Sequence, residues 1–371
     1  MGEPLNVGII GCGAIAAQYL TTLPTLPSIN LVAVADLDPA RAKAAAETQE
    51  GVRALTVEEL LADAEIDTVL NLTIPAAHAE VAMRAISAGK NVYGEKPLAA
   101  STAEARRVLE HAAASGVRVG CAPDTVLGTG VQTARDAVDS GLIGRPISAT
   151  ATMVTPGHER WHPNPDFYYV PGGGPLLDMG PYYVTALVTL LGPVASVLGA
   201  ASHTRSTRVI ETGPRAGETV PVTIDTHVTG VLVHESGALS TLLMSFDAVQ
   251  TRSANIEIHG ERASLTVPDP NYFDGDVSIC RLEDRDGGWE TLPRSAGYIG
   301  AGRGYGLADM ALAFPGRQHR ANGELAYHVL DVMESLLEAA GSGSSITVQS
   351  TAARPESVPL MSLTSSEEVT A

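Results

Sequence analysis

The clearest indication of the fold is the segment Asn6-Val7-Gly8-Ile9-Ile10-Gly11-Cys12-Gly13-Ala14-Ile15-Ala16. Its apolar first half predicts a buried strand, and its second half reads G-x-G-x-x-A at the start of a helical segment. In a dinucleotide-binding fold, Gly11 allows the tight turn, Gly13 lets the backbone approach a pyrophosphate, and Ala16 permits close helix–strand packing. The pyrophosphate would meet the N–H groups of Ala14 and Ile15, since the start of a helix favours an anion.

An acidic residue stands where the second strand ends. Leu31–Ala35 is the second predicted strand, and Asp36 follows it, at the spacing of about 20 residues from the glycines that dinucleotide-binding folds use. A carboxylate there can accept hydrogen bonds from both ribose hydroxyls of NAD, and it repels the 2′-phosphate of NADP. The sequence therefore favours NAD over NADP. Asp38 is a weaker candidate for this contact and could instead solvate the loop. The alternative for the glycine loop itself is a turn that serves only packing.

Short apolar strands alternate with helical segments through the first third of the chain. Further strands are predicted at Thr68–Leu72, Asn91–Tyr93 and Val117–Cys121, and helices at Pro39–Thr48, Ala77–Ala88 and Thr102–Ser115. Apolar strands that are each followed by a helix predict a parallel sheet covered on both faces. After residue 123 the strands become longer and partly alternating, as in Ile147–Thr155 and Ile224–Val233, which predicts an open, largely antiparallel sheet.

The predicted fold class is thus α/β. It combines an N-terminal Rossmann doubly wound parallel sheet with a C-terminal α/β domain built on an open, largely antiparallel sheet. We predict a dinucleotide-binding domain at 1–123 and a substrate-binding and oligomerisation domain at 124–350. Residues 351–371 are rich in Ser, Thr, Pro and Glu, which predicts a disordered tail.

Composition narrows the choice of partners and compartment. The chain has 371 residues, 44% of them hydrophobic and 18% charged, and a formal net charge of −18. So acidic a surface repels phosphates and anionic lipid, which argues against nucleic-acid and membrane partners. Its three cysteines are far apart and its N-terminus lacks the features of a signal peptide, so we expect a cytoplasmic protein. The uncharged stretch 179–204 is interrupted by Gly-Pro pairs, which argues against a membrane-spanning helix.

A lysine follows the fourth predicted strand, in the segment Glu95-Lys96-Pro97. A nicotinamide ring is expected at the carboxyl ends of the strands. An ammonium group there would lower the pKa of a nearby hydroxyl and favour its alkoxide as hydride leaves. With the glycine loop and with Thr73-Ile74-Pro75-Ala76-Ala77-His78 (T-x-P-x-x-H), this segment makes the chain resemble the Gfo/Idh/MocA oxidoreductase family over about residues 5–345.

The resemblance implies a Rossmann domain followed by an α/β domain whose open sheet often forms dimer or tetramer contacts. It also implies a cis peptide bond between Lys96 and Pro97. The residues that it implies as cofactor contacts are Thr73, Pro75, His78, Glu95 and Lys96. The chain departs from the family at Ala76, where an asparagine is common.

A second family motif is D-x-x-x-H at the start of a helix after a glycine-rich turn, and it is matched by Asp178-Met179-Gly180-Pro181-Tyr182. Tyr182 replaces the usual histidine, an alternative known within the family. Residues four apart share a helix face, so Asp178 and Tyr182 are expected to point into one cleft. With Lys96 lowering its pKa, Tyr182 could relay the hydroxyl proton while Asp178 orients substrate and lysine. Alternatively, Asp178 only caps the helix, Tyr182 is a core aromatic, or Tyr183 takes its role.

The segment His158-Glu159-Arg160-Trp161-His162 matches the zinc-protease pattern H-E-x-x-H. Prolines on both sides leave barely one helical turn and no third ligand follows, so we predict no metal site. The residues suit a substrate loop whose aromatic face and donors meet a sugar ring; a loop packed on its own aromatics is the alternative. The predicted substrate-binding residues are Asp124, His158, Arg160, Trp161, His162, Tyr182, Tyr183 and His319.

The leading functional hypothesis is an NAD-dependent oxidoreductase acting on a secondary hydroxyl of a sugar, polyol or glycoside, with Lys96, Asp178 and Tyr182 as catalytic residues. The runner-up is a redox-neutral glycosidase that keeps NAD bound and oxidises the sugar only transiently. A third class is a non-catalytic sensor of NAD or sugar. The expected partners are a small carbohydrate and further copies of the chain, as a homodimer or homotetramer.

Overall fold

The computed structural model describes residues 3–313 and 318–364. The chain divides into two compact units. The first takes Met1–Gly128, Ala296–Tyr327 and Val358–Ala371, and the second takes Thr129–Ser295 and His328–Ser357. This division differs from the predicted one, because the first stretch runs to Gly128 rather than to residue 123 and the chain returns to the first unit twice.

The first unit is built on six parallel strands. They are β1 (Leu5–Ile10), β2 (Ile29–Ala35), β3 (Arg53–Leu55), β4 (Thr68–Asn71), β5 (Asn91–Gly94) and β6 (Val119–Cys121). The helices between them are α1 (Ala16–Thr22), α2 (Pro39–Glu47), α3 (Val57–Ala62), α4 (Pro75–Ser87) and α5 (Thr102–Ser115). The strand order is β3-β2-β1-β4-β5-β6. The order therefore reverses between β1 and β4, and this fold binds its ligands beyond the carboxyl ends at such a point.

The parallel sheet forms because its strands carry apolar side chains toward both faces. Val7, Ile9 and Ile10 of β1 are each at most 2% exposed, as expected for a strand covered by helices on both sides. The short elements β3 and α3 were not predicted, although α3 begins with a capping box between Thr56 and Glu59 that marks a helix start.

The second unit contains a sheet of nine strands and a separate two-stranded ribbon. The strands are β7 (Pro146–Val154), β8 (Val194–Ser202), β9 (Thr207–Val209), β10 (Thr219–Pro221), β11 (His227–His234), β12 (Leu239–Ser245), β13 (Ile256–Gly260), β14 (Ala263–Val267), β15 (Ser278–Arg281), β16 (Glu290–Thr291) and β17 (Ile346–Thr347). The sheet order is β16-β15-β14-β13-β7-β12-β11-β8-β17, and β9 pairs with β10. Only the β7–β12 pair of this sheet is parallel in the described residues. The prediction of a largely antiparallel sheet is therefore confirmed.

The later helices are α6 (Thr129–Asp139), α7 (Pro175–Leu191), α8 (Tyr305–Leu312) and α9 (Gly323–Ser342). Helix α7 packs on β7, β11 and β12. Leu336 of α9 lies over Gly199 and Gly230, which are register partners, and a Cβ atom at either glycine would come within 2.7 Å of its side chain. These two glycines therefore allow the close approach of α9 to the sheet.

The predicted disordered tail is wrong for residues 351–364, which the structure describes. Val358 is 0% exposed, and backbone bridges join Ala296 to Pro359 and Tyr298 to Met361. The segment is ordered because it pairs with the strand-like stretch 296–298 of the first unit, a partner that local composition does not reveal. The rest of the predicted tail, 365–371, lies outside the described residues.

The uncharged stretch 179–204 holds most of α7, a turn at Gly192 and β8. The Gly180-Pro181 pair lies within α7 and does not end it. Within the part of the chain that the structure describes, no helix has both the length and the apolar character needed to cross a membrane.

Candidate functional site

The glycine loop lies at the carboxyl end of β1 and leads into α1. Gly11 has a φ of 102°, and a Cβ atom there would approach the Leu72 backbone to 2.7 Å, so any side chain would strain this turn. A Cβ atom at Gly13 would meet no protein atom within 4 Å. Gly13 and Ala14 are exposed and Ile15 is half-buried. Packing therefore does not require glycine at position 13, and its backbone is open to a ligand.

The carboxylate of Asp36 is held by the loops around it. Its Oδ2 accepts the N–H of Cys12 at 2.7 Å, and its Oδ1 accepts the N–H of Asp38 at 2.9 Å. An ionised carboxylate has about four acceptor positions, so these two bonds leave capacity for ribose hydroxyls. Asp38 accepts the N–H of Ala40 at 2.9 Å as the N-cap of α2. The two aspartates therefore differ: Asp38 caps a helix, and Asp36 is presented at the end of β2.

A cleft of about 440 Å³ opens at the carboxyl ends of β1, β2 and β4. Its lining includes Gly11, Gly13, Asp36, Leu37, Thr73 and Ile74. Leu37 and Ile74 are 95% and 70% exposed, and large apolar side chains exposed at a cleft are typical of a surface that a ligand covers. An open glycine backbone, a carboxylate and an apolar wall fit the pyrophosphate, ribose and adenine of a dinucleotide.

A buried histidine ties the turn after β4 to the Lys96-Pro97 segment. His78 is 2% exposed, and its Nδ1 and Nε2 lie 2.6 Å and 3.0 Å from the carbonyl oxygens of Pro97 and Thr73. Both ring nitrogens thus face backbone carbonyl oxygens inside the protein, so His78 braces the site and the predicted direct contact with a cofactor is wrong. Thr73 lines the cleft, and Pro75 is exposed at the first residue of α4.

The Lys96–Pro97 peptide bond is cis, as the family resemblance implied. The carboxylate of Glu95, a residue 7% exposed, accepts the Tyr19 hydroxyl at 2.8 Å and the N–H of Lys96 at 3.0 Å. Burial, reinforced by Glu95, raises the pKa of Tyr19, so its hydroxyl stays protonated and donates. Glu95 therefore fixes the segment against α1 instead of reaching a cofactor, and it presents Lys96, whose side chain is half-buried.

Two residues predicted to bind substrate lie inside the first unit. Asp124 is 0% exposed, and its Oδ2 accepts the N–H groups of Gly304 and Gly306 at 2.9 Å and 3.0 Å. Burial raises the pKa of Asp124, although Arg303 opposes this. His319 is 4% exposed, and burial lowers its pKa to about 4. Both predictions are wrong, because Asp124 is buried under the backbone of Gly304 and Gly306 and His319 is itself buried.

In the second unit, helix α7 carries Asp178 and Tyr182 on one face. The helix begins after Gly174, so Asp178 is not its N-cap and the capping alternative is wrong. The side chain of Asp178 is 19% exposed. Tyr182 is 5% exposed.

Tyr183 points into the core of the second unit. It is 0% exposed, and its hydroxyl accepts a hydrogen bond from Asn255 at 2.9 Å and donates to Asp269 at 3.4 Å. Burial, together with the nearby Asp269, raises the pKa of Tyr183 far above its ordinary value. The prediction of Tyr183 as a substrate ligand is therefore wrong, and so is its candidacy for the role of Tyr182.

The H-E-x-x-H segment forms a single 3₁₀ turn, His158–Arg160, instead of a helix. Its glutamate, Glu159, is 3% exposed and pairs with Arg208 at 3.0 Å. Arg208 also pairs with Asp247, and the Tyr169 hydroxyl donates to Glu159. This buried ionic cluster, which sequence reasoning missed, anchors the loop. Among residues 3–313 and 318–364, no group of three or more His, Cys, Asp or Glu side chains could hold a metal ion.

The remaining loop residues form an aromatic surface. Trp161 is 57% exposed and Phe167 is 53% exposed, and the ring of His162 contacts both. The Nδ1 of His162 accepts the N–H of Asn164 at 3.1 Å, and burial lowers the pKa of His162. Arg160 pairs with Glu211 at 2.8 Å at the surface. The loop thus packs on its own aromatics and still presents two apolar rings to solvent.

The structure brings two predicted site residues into contact. His158 Nε2 lies 3.2 Å from Asp178 Oδ2, which joins the loop to the first turns of α7. The sequence motifs place both residues in a site but do not indicate this pairing, because it depends on how the nineteen positions between them fold back.

Comparison with known families matches both parts of the chain. The sequence model of a family described as an oxidoreductase family with an NAD-binding Rossmann fold matches residues 5–122. A model described as the GFO/IDH/MocA C-terminal domain matches residues 131–266.

Individual relatives share most of the length. An uncharacterized oxidoreductase, ORF334, of Rhizobium meliloti is 31% identical over 271 residues, which are 72% of this chain and 75% of the relative. A dTDP-3,4-didehydro-2,6-dideoxy-alpha-D-glucose 3-reductase of Streptomyces violaceoruber is 29% identical over 293 residues, 78% of this chain and 80% of the relative. The solved structure of levoglucosan dehydrogenase in complex with NADH has a TM-score of 0.77 at 22% identity, covering 94% of this chain and 100% of that one. This last likeness is one of fold.

Proposed function

The chain belongs to the Gfo/Idh/MocA family of NAD(P)-dependent oxidoreductases, and from this we propose that it transfers a hydride between NAD and a secondary hydroxyl of a sugar, polyol or glycoside. The observation that carries the proposal is the cleft at the end of β2. There the carboxylate of Asp36 is held by two backbone N–H groups, beside an open glycine backbone at Gly13.

The residues that hold the cofactor follow from the cleft. Gly11 and Gly13 allow the pyrophosphate to approach, Asp36 accepts the ribose hydroxyls, and Leu37 and Ile74 cover the adenine. The negative charge of Asp36 repels a 2′-phosphate, so the proposed cofactor is NAD in preference to NADP.

The proposed chemistry gives one role to each predicted catalytic residue. When bound, the dinucleotide supplies the hydride acceptor at C4 of its nicotinamide. On oxidation, the substrate carbon loses a hydride and its hydroxyl loses a proton, which leaves a carbonyl. The Lys96 ammonium lowers the pKa of this hydroxyl and stabilises the charge that develops on its oxygen. Tyr182, reacting as its phenolate, takes the proton and becomes a phenol, and Asp178 orients the substrate.

The proposed substrate class rests on the named relatives and on the loop. One relative is named for a dTDP-sugar and the other for levoglucosan, both carbohydrates. The exposed ring of Trp161, next to donors on His162 and Arg160, suits the apolar face and hydroxyls of a sugar.

Native mass spectrometry followed by a substrate panel tests this proposal. The purified protein is first weighed to detect bound NAD, and is then given NAD with myo-inositol, D-glucose, levoglucosan and 4-nitrophenyl glycosides. Net NADH formation with a sugar or polyol is the expected result. Release of 4-nitrophenol without net NADH would identify the redox-neutral glycosidase, and NAD binding without turnover of any carbohydrate would favour a sensor; either result would contradict the proposal.

A further inference from the structure

His158 is enclosed by aromatic rings in the second unit. It is 8% exposed, and its ring centroid lies 4.3 Å from that of Phe246 and 4.5 Å from that of Tyr168. Its backbone N–H donates to the Tyr169 hydroxyl at 3.0 Å. The imidazole is therefore held in one orientation.

The partners of the two ring nitrogens fix where the imidazole carries its proton. Trp161 Nε1 lies 3.2 Å from His158 Nδ1, and because an indole N–H can only donate, Nδ1 is the acceptor. Nε2 must then carry the proton, and it donates to Asp178 Oδ2 at 3.2 Å. One neutral tautomer, with the proton on Nε2, satisfies both contacts.

From this series of hydrogen bonds we infer that His158 is a positioning residue for Asp178 and that Trp161 selects the tautomer that performs this task. The inference rests on the proposed role of Asp178 in orienting substrate. A carboxylate with one oxygen held by a fixed donor presents its remaining acceptor positions in one direction. Orientation of this kind matters because a displacement of about 1 Å at a reacting group can lower a rate by about 100-fold.

The loop does not depend on this histidine for its own position. Glu159, the next residue, is paired with Arg208 at 3.0 Å, and Arg208 donates to the carbonyl oxygens of Pro156 and Phe246 at 3.0 Å each. These buried contacts hold the backbone on both sides of His158. Replacing the imidazole should therefore remove the contact to Asp178 while leaving the loop in place.

The first test reads the tautomer directly and needs no substrate. In ¹⁵N-labelled protein, which has ten histidines, the signal of His158 is the one lost in His158→Gln. We expect the Nε2–H tautomer in the wild type and a measurable population of the Nδ1–H tautomer in Trp161→Phe, which keeps a ring but has no donor. An Nδ1–H tautomer in the wild type, or an unchanged signal in Trp161→Phe, would overturn the inference without touching the proposed function.

The second test separates positioning from folding by steady-state kinetics with NAD and the panel compound that is turned over fastest. His158→Leu should lower kcat by about 30-fold and leave the KM for NAD unchanged. His158→Gln places an amide N–H near the position of Nε2 and should recover kcat to within about fivefold of the wild type. His158→Leu should add nothing to the defect of Asp178→Asn, since His158 is proposed to act only through the Asp178 carboxylate, which that variant removes.

A matched control is available on the surface of the same unit. His203 pairs with Asp225 at 2.9 Å, and both side chains are more than 40% exposed. His203→Leu removes an exposed histidine–aspartate contact that does not involve Asp178 and should leave kcat unchanged. If Asp178→Asn loses activity and His158→Leu does not, the inference fails while the proposed function stands; if Asp178→Asn keeps full activity, the proposed role of Asp178 fails first.

Discussion

Replacing Asp36 by alanine should reverse the preference between the two nicotinamide cofactors. The carboxylate has two separable effects: it accepts the backbone N–H groups of Cys12 and Asp38, and on our account it accepts the ribose hydroxyls of NAD. Loss of the backbone contacts loosens the cleft and weakens the binding of any dinucleotide. Loss of the ribose contact weakens the binding of NAD alone, and loss of the negative charge removes the repulsion that opposes the 2′-phosphate of NADP.

The magnitudes follow from the charge of the carboxylate. Hydrogen bonds from the two ribose hydroxyls to the charged carboxylate contribute about 1.5–3 kcal/mol each. A net loss of about 3 kcal/mol corresponds to about 150-fold weaker binding of NADH. Two unit charges about 4 Å apart repel by about 4 kcal/mol at an effective dielectric constant near 20, and solvent screening lowers this for a half-exposed pair. We therefore expect the ratio of NADH to NADPH affinity to shift by at least about 100-fold.

The assay is a fluorescence titration of wild-type and Asp36→Ala protein with NADH and with NADPH. Asp38→Ala is the matched control: it removes the N-cap of α2 and should lower the free energy of unfolding by about 1 kcal/mol without changing the ratio. If Asp36→Ala weakens both cofactors by the same factor, Asp36 only braces the loop and our assignment of the ribose contact is refuted.

Three further outcomes follow from the structure. Gly11→Ala should destabilise the protein by about 3 kcal/mol, seen as a lower urea midpoint, because its Cβ would lie 2.7 Å from the Leu72 backbone at a φ of 102°; an unchanged midpoint would contradict this. The free energy of unfolding measured with urea should fall as pH drops from about 6.5 toward 4. Burial lowers the pKa of His319 to about 4, so the unfolded chain takes up the proton first. His319→Gln should make the free energy of unfolding less dependent on pH, and an equally steep dependence in that variant would contradict this prediction. Tyr182→Phe should lower kcat by about 100-fold. Tyr183→Phe should instead lower the melting temperature, because it removes the hydroxyl that donates to Asp269. A large loss of kcat in Tyr183→Phe together with a lower melting temperature in Tyr182→Phe would exchange the two roles.

The nucleotide-binding half could be predicted because its signals are local. The strand, the glycine turn and the acid lie within one βαβ unit. Cys12 and Asp36 are 24 positions apart, but the known spacing of this motif predicts that they meet. Even the distinction from Asp38 was within reach, because an aspartate followed by Pro39 is a helix-start signal. Tyr183 likewise follows Tyr182 by one residue, and helical geometry turns neighbours to different faces.

The errors arise where distant segments meet. Asp124 is enclosed by Gly304 and Gly306, and no local pattern tells that a chain will return to cover the end of a strand. The pairing of His158 with Asp178 depends in the same way on a loop whose anchor, Arg208, comes from a separate ribbon strand. Such contacts are set by tertiary packing, which hydrophobic periodicity and motif spacing do not encode.

The proposed mechanism depends on the ammonium group of Lys96, which stabilises the developing alkoxide during hydride transfer. The decisive experiment compares the single-turnover rate of NADH formation in wild-type and Lys96→Met protein and measures the Kd for NAD of both. We expect the rate of the variant to be at least about 100-fold below that of the wild type, with the Kd for NAD within about twofold. A variant that binds NAD and forms NADH at the wild-type rate would contradict it.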